Sequence, residues 1–284
     1  MSQTSAAPAA ANVPRPRHFY TEPDWIDVEG LRVAYRRQGE GPPTLYLHGA
    51  GLTRMWLPLY ERLSESLDLI APEHPGYGET PMPEWLDGLD DLVIHYDALL
   101  DALELERVNL VGYSFGGWIA AELAVFYPRR FDSLTLITPI GLRVPGKPLA
   151  DIFAMDPETL FATFFNDPAN ALQVAPDLES LDEIEHQFGE AATLARLTWN
   201  PRFDPKLERR LKRVSCPTLV VRAEHDRMVP DEMAERYAEA IDGARIETVP
   251  GTGHALIVEQ PEKTADVVTS FIGETKGKMK GKAA

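Results

Sequence analysis

Read for the spacing of its apolar positions, the chain alternates short β-type runs with helical stripes over most of its length. Trp25 to Val28 and Leu31 to Arg37, joined at Glu29-Gly30, predict an antiparallel hairpin. Thr44 to Leu47 and Leu67 to Pro72 are compact apolar runs suited to strands covered on both faces, with a helix-like stretch, Met55 to Ser66, between them. Leu89, Leu92, Val93, Tyr96, Leu99, Leu100 and Leu103 recur at helical spacing and predict a helix. A strand over Arg107 to Val111, a helix over Gly117 to Tyr127 stopped by Pro128, and a strand over Phe131 to Thr138 are expected next.

The alternation then stops. From Pro139 to Pro205 no buried strand is evident; Leu160, Phe161, Phe164, Phe165 and then Leu178, Leu181, Ile184, Phe188, continued by Leu194 and Leu197, form helical stripes. It resumes with a strand over Pro217 to Ala223, a helix over Asp231 to Ala240, a strand over Arg245 to Val249 and a helix over Pro261 to Ile272. Strands and helices in turn mark a parallel sheet with right-handed crossovers, so the expected class is α/β. The core is expected over 24–138 and 206–273, with 139–205 inserted as a helical cap over the sheet's carboxyl edge. The Ala/Pro-rich start, 1–23, and the Lys/Gly-rich end, 274–284, read as disordered tails.

Composition acts mainly by exclusion. The 284 residues are 44% hydrophobic and 25% charged, ordinary for a soluble domain with room for a buried site. No run approaches the roughly 20 apolar residues of a bilayer span, and the first residues lack the pattern of a secretory signal, so a cytoplasmic protein without a membrane partner is expected. A net charge of −16 opposes binding to nucleic acid. The sole cysteine, Cys216, excludes an internal disulfide and reads as a buried, inert thiol.

The candidate chemistry centres on Leu110-Val111-Gly112-Tyr113-Ser114-Phe115-Gly116-Gly117, an apolar run ending in Gly-x-Ser-x-Gly. A strand that reverses directly into a helix leaves no room for a Cβ beside the serine, which explains Gly112 and Gly116 and pushes the Ser114 hydroxyl out at the strand's carboxyl end. The backbone N–H of Phe115 then points at the same spot, pairing a nucleophile with one oxyanion donor. A second donor is expected from Ala50 in His48-Gly49-Ala50-Gly51, a Gly-rich loop after a strand. His48 is expected to brace that loop, and His74 to brace or lie at the surface.

Acyl transfer also needs a base and an acid. His254, in Pro250-Gly251-Thr252-Gly253-His254, and Asp226, in Glu224-His225-Asp226, each lie just past a predicted strand, on the edge where Ser114 emerges. A histidine suits both proton transfers because its ordinary pKa of about 6.5 lies near working pH. Asp226 would accept from its Nδ1–H, with Glu224 as the alternative acid. Arg143, Arg196 and Arg202 could meet a substrate carboxylate, and Phe161, Phe164, Phe165, Phe188 and Trp199 could pack the cap or face an apolar pocket.

The chain order Ser, Asp, His, together with His48-Gly49-Ala50-Gly51, Gly76-Tyr77-Gly78, Gly112-Tyr113-Ser114-Phe115-Gly116, Val229-Pro230 and Gly253-His254 followed by Glu259-Gln260-Pro261, resembles the α/β-hydrolase fold family. The likeness spans about Asp24 to Gly273 and is nearest to the serine hydrolases with a helical cap. It implies a mostly parallel eight-stranded sheet, no cofactor or metal, and an acyl-enzyme on Ser114. A serine at 114 departs from the branches with a carboxylate nucleophile. Carbon-carbon hydrolases of aromatic-ring degradation share cap and motifs, but they usually carry a Trp after the catalytic His, where this chain has Ala255-Leu256-Ile257.

The expected activity is therefore hydrolysis of a carboxylic ester, or a related acyl bond, of a small, fairly apolar molecule. The rivals are carbon-carbon hydrolysis and a ligand-binding module on the same fold. A homo-oligomer joined through an exposed cap patch is allowed by the sequence without being specified by it.

Overall fold

The computed structural model describes residues 19–175 and 179–282. Eight strands form one sheet: β1 (Asp24–Val28), β2 (Leu31–Gln38), β3 (Pro43–Leu47), β4 (Asp68–Pro72), β5 (Val108–Tyr113), β6 (Phe131–Ile137), β7 (Thr218–Ala223) and β8 (Arg245–Val249). Their order is β1-β2-β4-β3-β5-β6-β7-β8. β2 is antiparallel to both its neighbours, β1 and β4, and every later pairing is parallel. The α/β class and the mostly parallel sheet expected from the sequence are therefore present.

Alternation along each strand sends neighbouring side chains to opposite faces. From β5, Val108 and Leu110 join one core with helices α2 (Leu89–Ala102), α3 (Phe115–Phe126) and α7 (Asp231–Ala240). Val111 and Tyr113 join the other, against α1 (Pro58–Ser64), α8 (Leu256–Glu259) and α9 (Pro261–Lys282). Strands buried on both faces explain why these runs are continuously apolar.

Between β6 and β7 lie α4 (Pro157–Phe164), α5 (Leu181–Thr198), α6 (Leu207–Arg210) and short 3-10 turns. The departing and returning strands of chain meet at a Gly141–Phe203 bridge. Asp156 caps α4 by accepting from Thr159 N–H at 2.8 Å, with Pro157 as its first residue. α5 departs from the expected stripe. Leu181 and Phe188 are about three-quarters exposed and Ile184 is exposed too, while Glu183, Glu190, Thr193, Leu194 and Thr198 are buried. Tertiary partners overturn the apolar pattern: the Glu190 carboxylate accepts from Gly78 N–H at 2.9 Å and from the Thr53 hydroxyl. Leu178 lies outside the described residues.

Both ends also differ from expectation. The Ala/Pro-rich residues 1–18 lie outside the described residues, but the chain is fixed by Phe19: Trp56 N–H donates to its carbonyl at 2.7 Å and Tyr20 bridges to Met55. The Phe19 side chain also packs against the core on the α1 face of the sheet. At the far end α9 runs on to Lys282, through most of the segment read as a tail. Lysine is a good helix former, and Glu274, paired with Arg245 at 3.0 Å, and buried Thr275 anchor the continuation.

Candidate active site

β5 ends at Tyr113 and α3 starts at Phe115, so Ser114 alone makes the turn. Its φ of 53° and ψ of −112° lie where a non-glycine residue is strained, and the fold holds it there: Ser114 N–H donates to Ile137 O at 2.8 Å, and its carbonyl accepts from Gly117 N–H at 3.0 Å. A Cβ at Gly116 would collide with the carbonyl oxygens of Leu47 and His48, on the strand end that carries the His48 loop. Gly116→Ala is accordingly expected to destabilise the fold by about 3 kcal/mol, read as a lowered melting temperature; an unchanged one would contradict this close approach.

The structure brings Ser114, His254 and Asp226 together across 140 and 28 residues of chain. His254 Nδ1 lies 2.8 Å from Asp226 Oδ2, and its Nε2 lies 2.8 Å from Ser114 Oγ. A carboxylate can only accept, so Nδ1 carries the proton and Nε2 is left to accept from the serine hydroxyl. Asp226 is fixed in turn, its Oδ1 accepting from Met228 N–H at 2.9 Å and Val229 N–H at 2.8 Å. Tyr113 donates its hydroxyl to His254 O at 3.1 Å, and the Phe164 ring meets the imidazole edge-on with centroids 5.2 Å apart. His254 is wholly buried and Ser114 4% exposed.

Glu224, the alternative acid, is not in this chain of bonds. It accepts from Gly251 N–H at 2.7 Å and so shapes the histidine loop. Ala50 and Phe115 line one small cavity with Ser114, about 30 Å³, closed by Ile140, Leu149, Phe153, Phe164, Leu194 and Met228. Arg202 also borders it, but its guanidinium is held by Asp151 at 2.7 Å. Arg196 pairs with Asp87, and Arg143 lies over the Phe203 ring. A larger cavity, about 440 Å³ between α5 and the loop after β4, contains none of the three bonded residues. Among the described residues no group of three or more His, Cys, Asp or Glu side chains could hold a metal ion. Burial pushes the Cys216 thiol up to about 12, consistent with an inert role.

His48 and His74 brace the loop behind the serine. His48 Nε2 accepts from His74 N–H at 3.0 Å, so its Nδ1–H donates to Gly49 O. His74 Nε2–H donates to His48 O at 2.8 Å, and its Nδ1 accepts from Tyr96. Burial lowers His48 to about 4 and His74 well below its ordinary value. Both therefore take up protons on unfolding and contribute stability that is fully present above pH 6.5 or so; the His48 share is lost as pH falls toward 4. For His48 the loss between pH 7 and pH 5 is roughly 2 kcal/mol. Glu122, raised to about 7 by burial, acts in the opposite sense. Comparing wild type with His48→Gln removes that background: the urea midpoint should fall less on acidification in the variant, and equal falls would contradict the assignment.

A model of the alpha/beta hydrolase family matches residues 45–267. The chain belongs to that family. The 2-hydroxymuconate semialdehyde hydrolase of a Pseudomonas species is 27% identical over 88% of this chain and 93% of its own. A human monoacylglycerol lipase is 25% identical over 83% and 77%. Among solved structures, a membrane phospholipase A aligns with a TM-score of 0.77 at 23% identity over 91% of this chain and 87% of its own. A meta-cleavage product hydrolase from Pseudomonas fluorescens aligns with a TM-score of 0.74 at 24% identity over 89% and 98%. These likenesses support a hydrolase enzyme acting on a small molecule, and at such identities the structures speak for the fold alone. No described helix is long and apolar enough to cross a membrane.

One contact escaped the sequence reading altogether. Arg227, next to Asp226, donates from Nη1 to Ala162 O at 2.9 Å and Phe165 O at 3.1 Å, tying the acid's loop to the inserted segment. Its only sequence signal is adjacency to Asp226.

Proposed function

We propose that this alpha/beta hydrolase is a serine hydrolase that cleaves a carboxylic ester, or a related acyl bond, of a small and fairly apolar molecule. The observation that carries the reading is the run of two 2.8 Å bonds from Asp226 through His254 to Ser114, which leaves the nucleophile's proton facing an unprotonated nitrogen. As Ser114 Oγ bonds to the substrate carbonyl carbon, its proton passes to His254 Nε2, and Asp226 stabilises the imidazolium. The carbonyl oxygen becomes an oxyanion, met by the N–H groups of Ala50 and Phe115. Collapse breaks the bond to the leaving group, which departs with the proton from Nε2. Water, deprotonated by the same nitrogen, then frees the acid and restores Ser114.

The segment 139–205 acts here as a cap. It supplies most of the lining of the cavity at Ser114, all of it apolar apart from Thr198 and Arg202. That narrow, mostly apolar space favours a short acyl chain over a long one. p-Nitrophenyl acetate or butyrate should be turned over with a kcat/KM at least about tenfold above the decanoate. Decanoate as the better substrate, or turnover of a ring-cleavage diketone with no turnover of any ester, would overturn the reading. The 2-hydroxymuconate semialdehyde hydrolase among the relatives makes the diketone the proper comparison.

A further inference from the structure

The motif Glu259-Gln260-Pro261 lies after the histidine and outside the bonds described above, yet its first residue touches both the histidine loop and the cap. Glu259, at the end of α8, accepts from Gly253 N–H through Oε2 at 2.6 Å and from Asp167 N–H through Oε1 at 2.9 Å. Gly253 immediately precedes His254, and Asp167 lies three residues beyond the Phe164 ring that abuts the imidazole. The two segments are joined further by Ala255 N–H donating to Phe164 O at 2.8 Å and Asn166 Nδ2 donating to Gly251 O at 3.2 Å. They lie so close that a Cβ on Gly253 would come 2.6 Å from Asn166 N and 2.8 Å from Phe164 O.

We propose that Glu259 is a positioning residue for His254: one carboxylate holds two N–H groups from two segments, so the placement of the base against Ser114 depends on its attachment to the cap. A carboxylate suits this because both oxygens accept, whereas a glutamine would turn an NH₂ toward one of the two donors. The cap then has a fixed seam at 164–167, and admission of substrate falls to other parts of it. The proposal rests on the reading that His254 activates Ser114.

The test compares wild type, Glu259→Gln and Glu259→Asp, which keeps both acceptor oxygens. Three readouts are the kcat and KM for a short ester, the rate of labelling by a fluorophosphonate, and the low-field NMR line of the imidazole proton shared with Asp226. E259Q should lower kcat and the labelling rate together by about 30-fold, with KM changed less than about twofold, because a misplaced base costs rate rather than binding. Its low-field line should broaden or vanish, and E259D should recover part of the rate. A folded E259Q that labels within about twofold of wild type and keeps its low-field line overturns the proposal. If E259Q does not fold, Glu259→Asp decides in its place: one methylene shorter, it should label several-fold more slowly than wild type, and a labelling rate equal to wild type with an unchanged low-field line overturns the proposal. If wild type itself is not labelled, the serine hydrolase reading fails, and the NMR line alone decides the role of Glu259.

Discussion

Replacing Ser114 with alanine is expected to lower ester turnover by about 10⁴-fold or more, with KM and melting temperature nearly unchanged. In the proposed mechanism its hydroxyl oxygen forms the covalent bond, and among the described residues nothing else bordering the cavity offers a comparable nucleophile: Thr198, the other hydroxyl there, donates to Leu194 O at 2.8 Å. On the proposed mechanism, what should survive the substitution is the contribution of the two backbone donors and of binding, acting on a water molecule far less well placed than Oγ. The fold should tolerate the change, since the strained turn is held by backbone bonds to Ile137 and Gly117 rather than by the side chain. The measurement is steady-state hydrolysis of p-nitrophenyl acetate with folding checked by thermal denaturation. Turnover within tenfold of wild type would contradict a covalent role for this serine.

The second large effect is expected at Asp226. Asp226→Asn should reduce kcat by about 10⁴-fold, and the structure gives the reason in terms of tautomers. The oxygen Oδ1 is committed to Met228 N–H and Val229 N–H. An asparagine must keep its carbonyl there to satisfy both donors, which turns its NH₂ toward His254 Nδ1. The imidazole then accepts at Nδ1 and carries its proton on Nε2, so it can no longer accept from Ser114. The substitution is nearly isosteric, and the loop bonds are preserved, so the melting temperature should hardly move. A variant retaining more than a tenth of the wild-type rate would mean that the carboxylate does not set the tautomer.

How much of this was legible in the sequence follows from where each residue finds its partners. The β5–Ser114–α3 turn could be read because its constraint is local: two glycines, a serine and an apolar run fix one backbone shape. Asp226 and His254 could be placed because each follows a strand-like run directly, so alternation alone put them on one edge of the sheet. α5 could not be read correctly. Its apolar Leu181, Ile184 and Phe188 face outward while Glu190 is buried, and only Thr53, Gly78 and His186, the first two more than a hundred residues away, make that burial tolerable. The end of α9 was missed for a similar reason, since the anchor of Glu274 is Arg245 on β8. Glu259 stood in a visible motif, but the two N–H groups it accepts from converge only when residues 164–167 pack on the loop that carries His254.

The site of covalent capture tests the proposed chemistry most directly. Wild-type protein treated with a fluorophosphonate should gain the mass of one phosphonyl group, and peptide mapping should place it on Ser114, with labelling greatly slowed in Asp226→Asn. A protein that turns over esters yet takes up no label, or carries it on a different residue, would contradict the account.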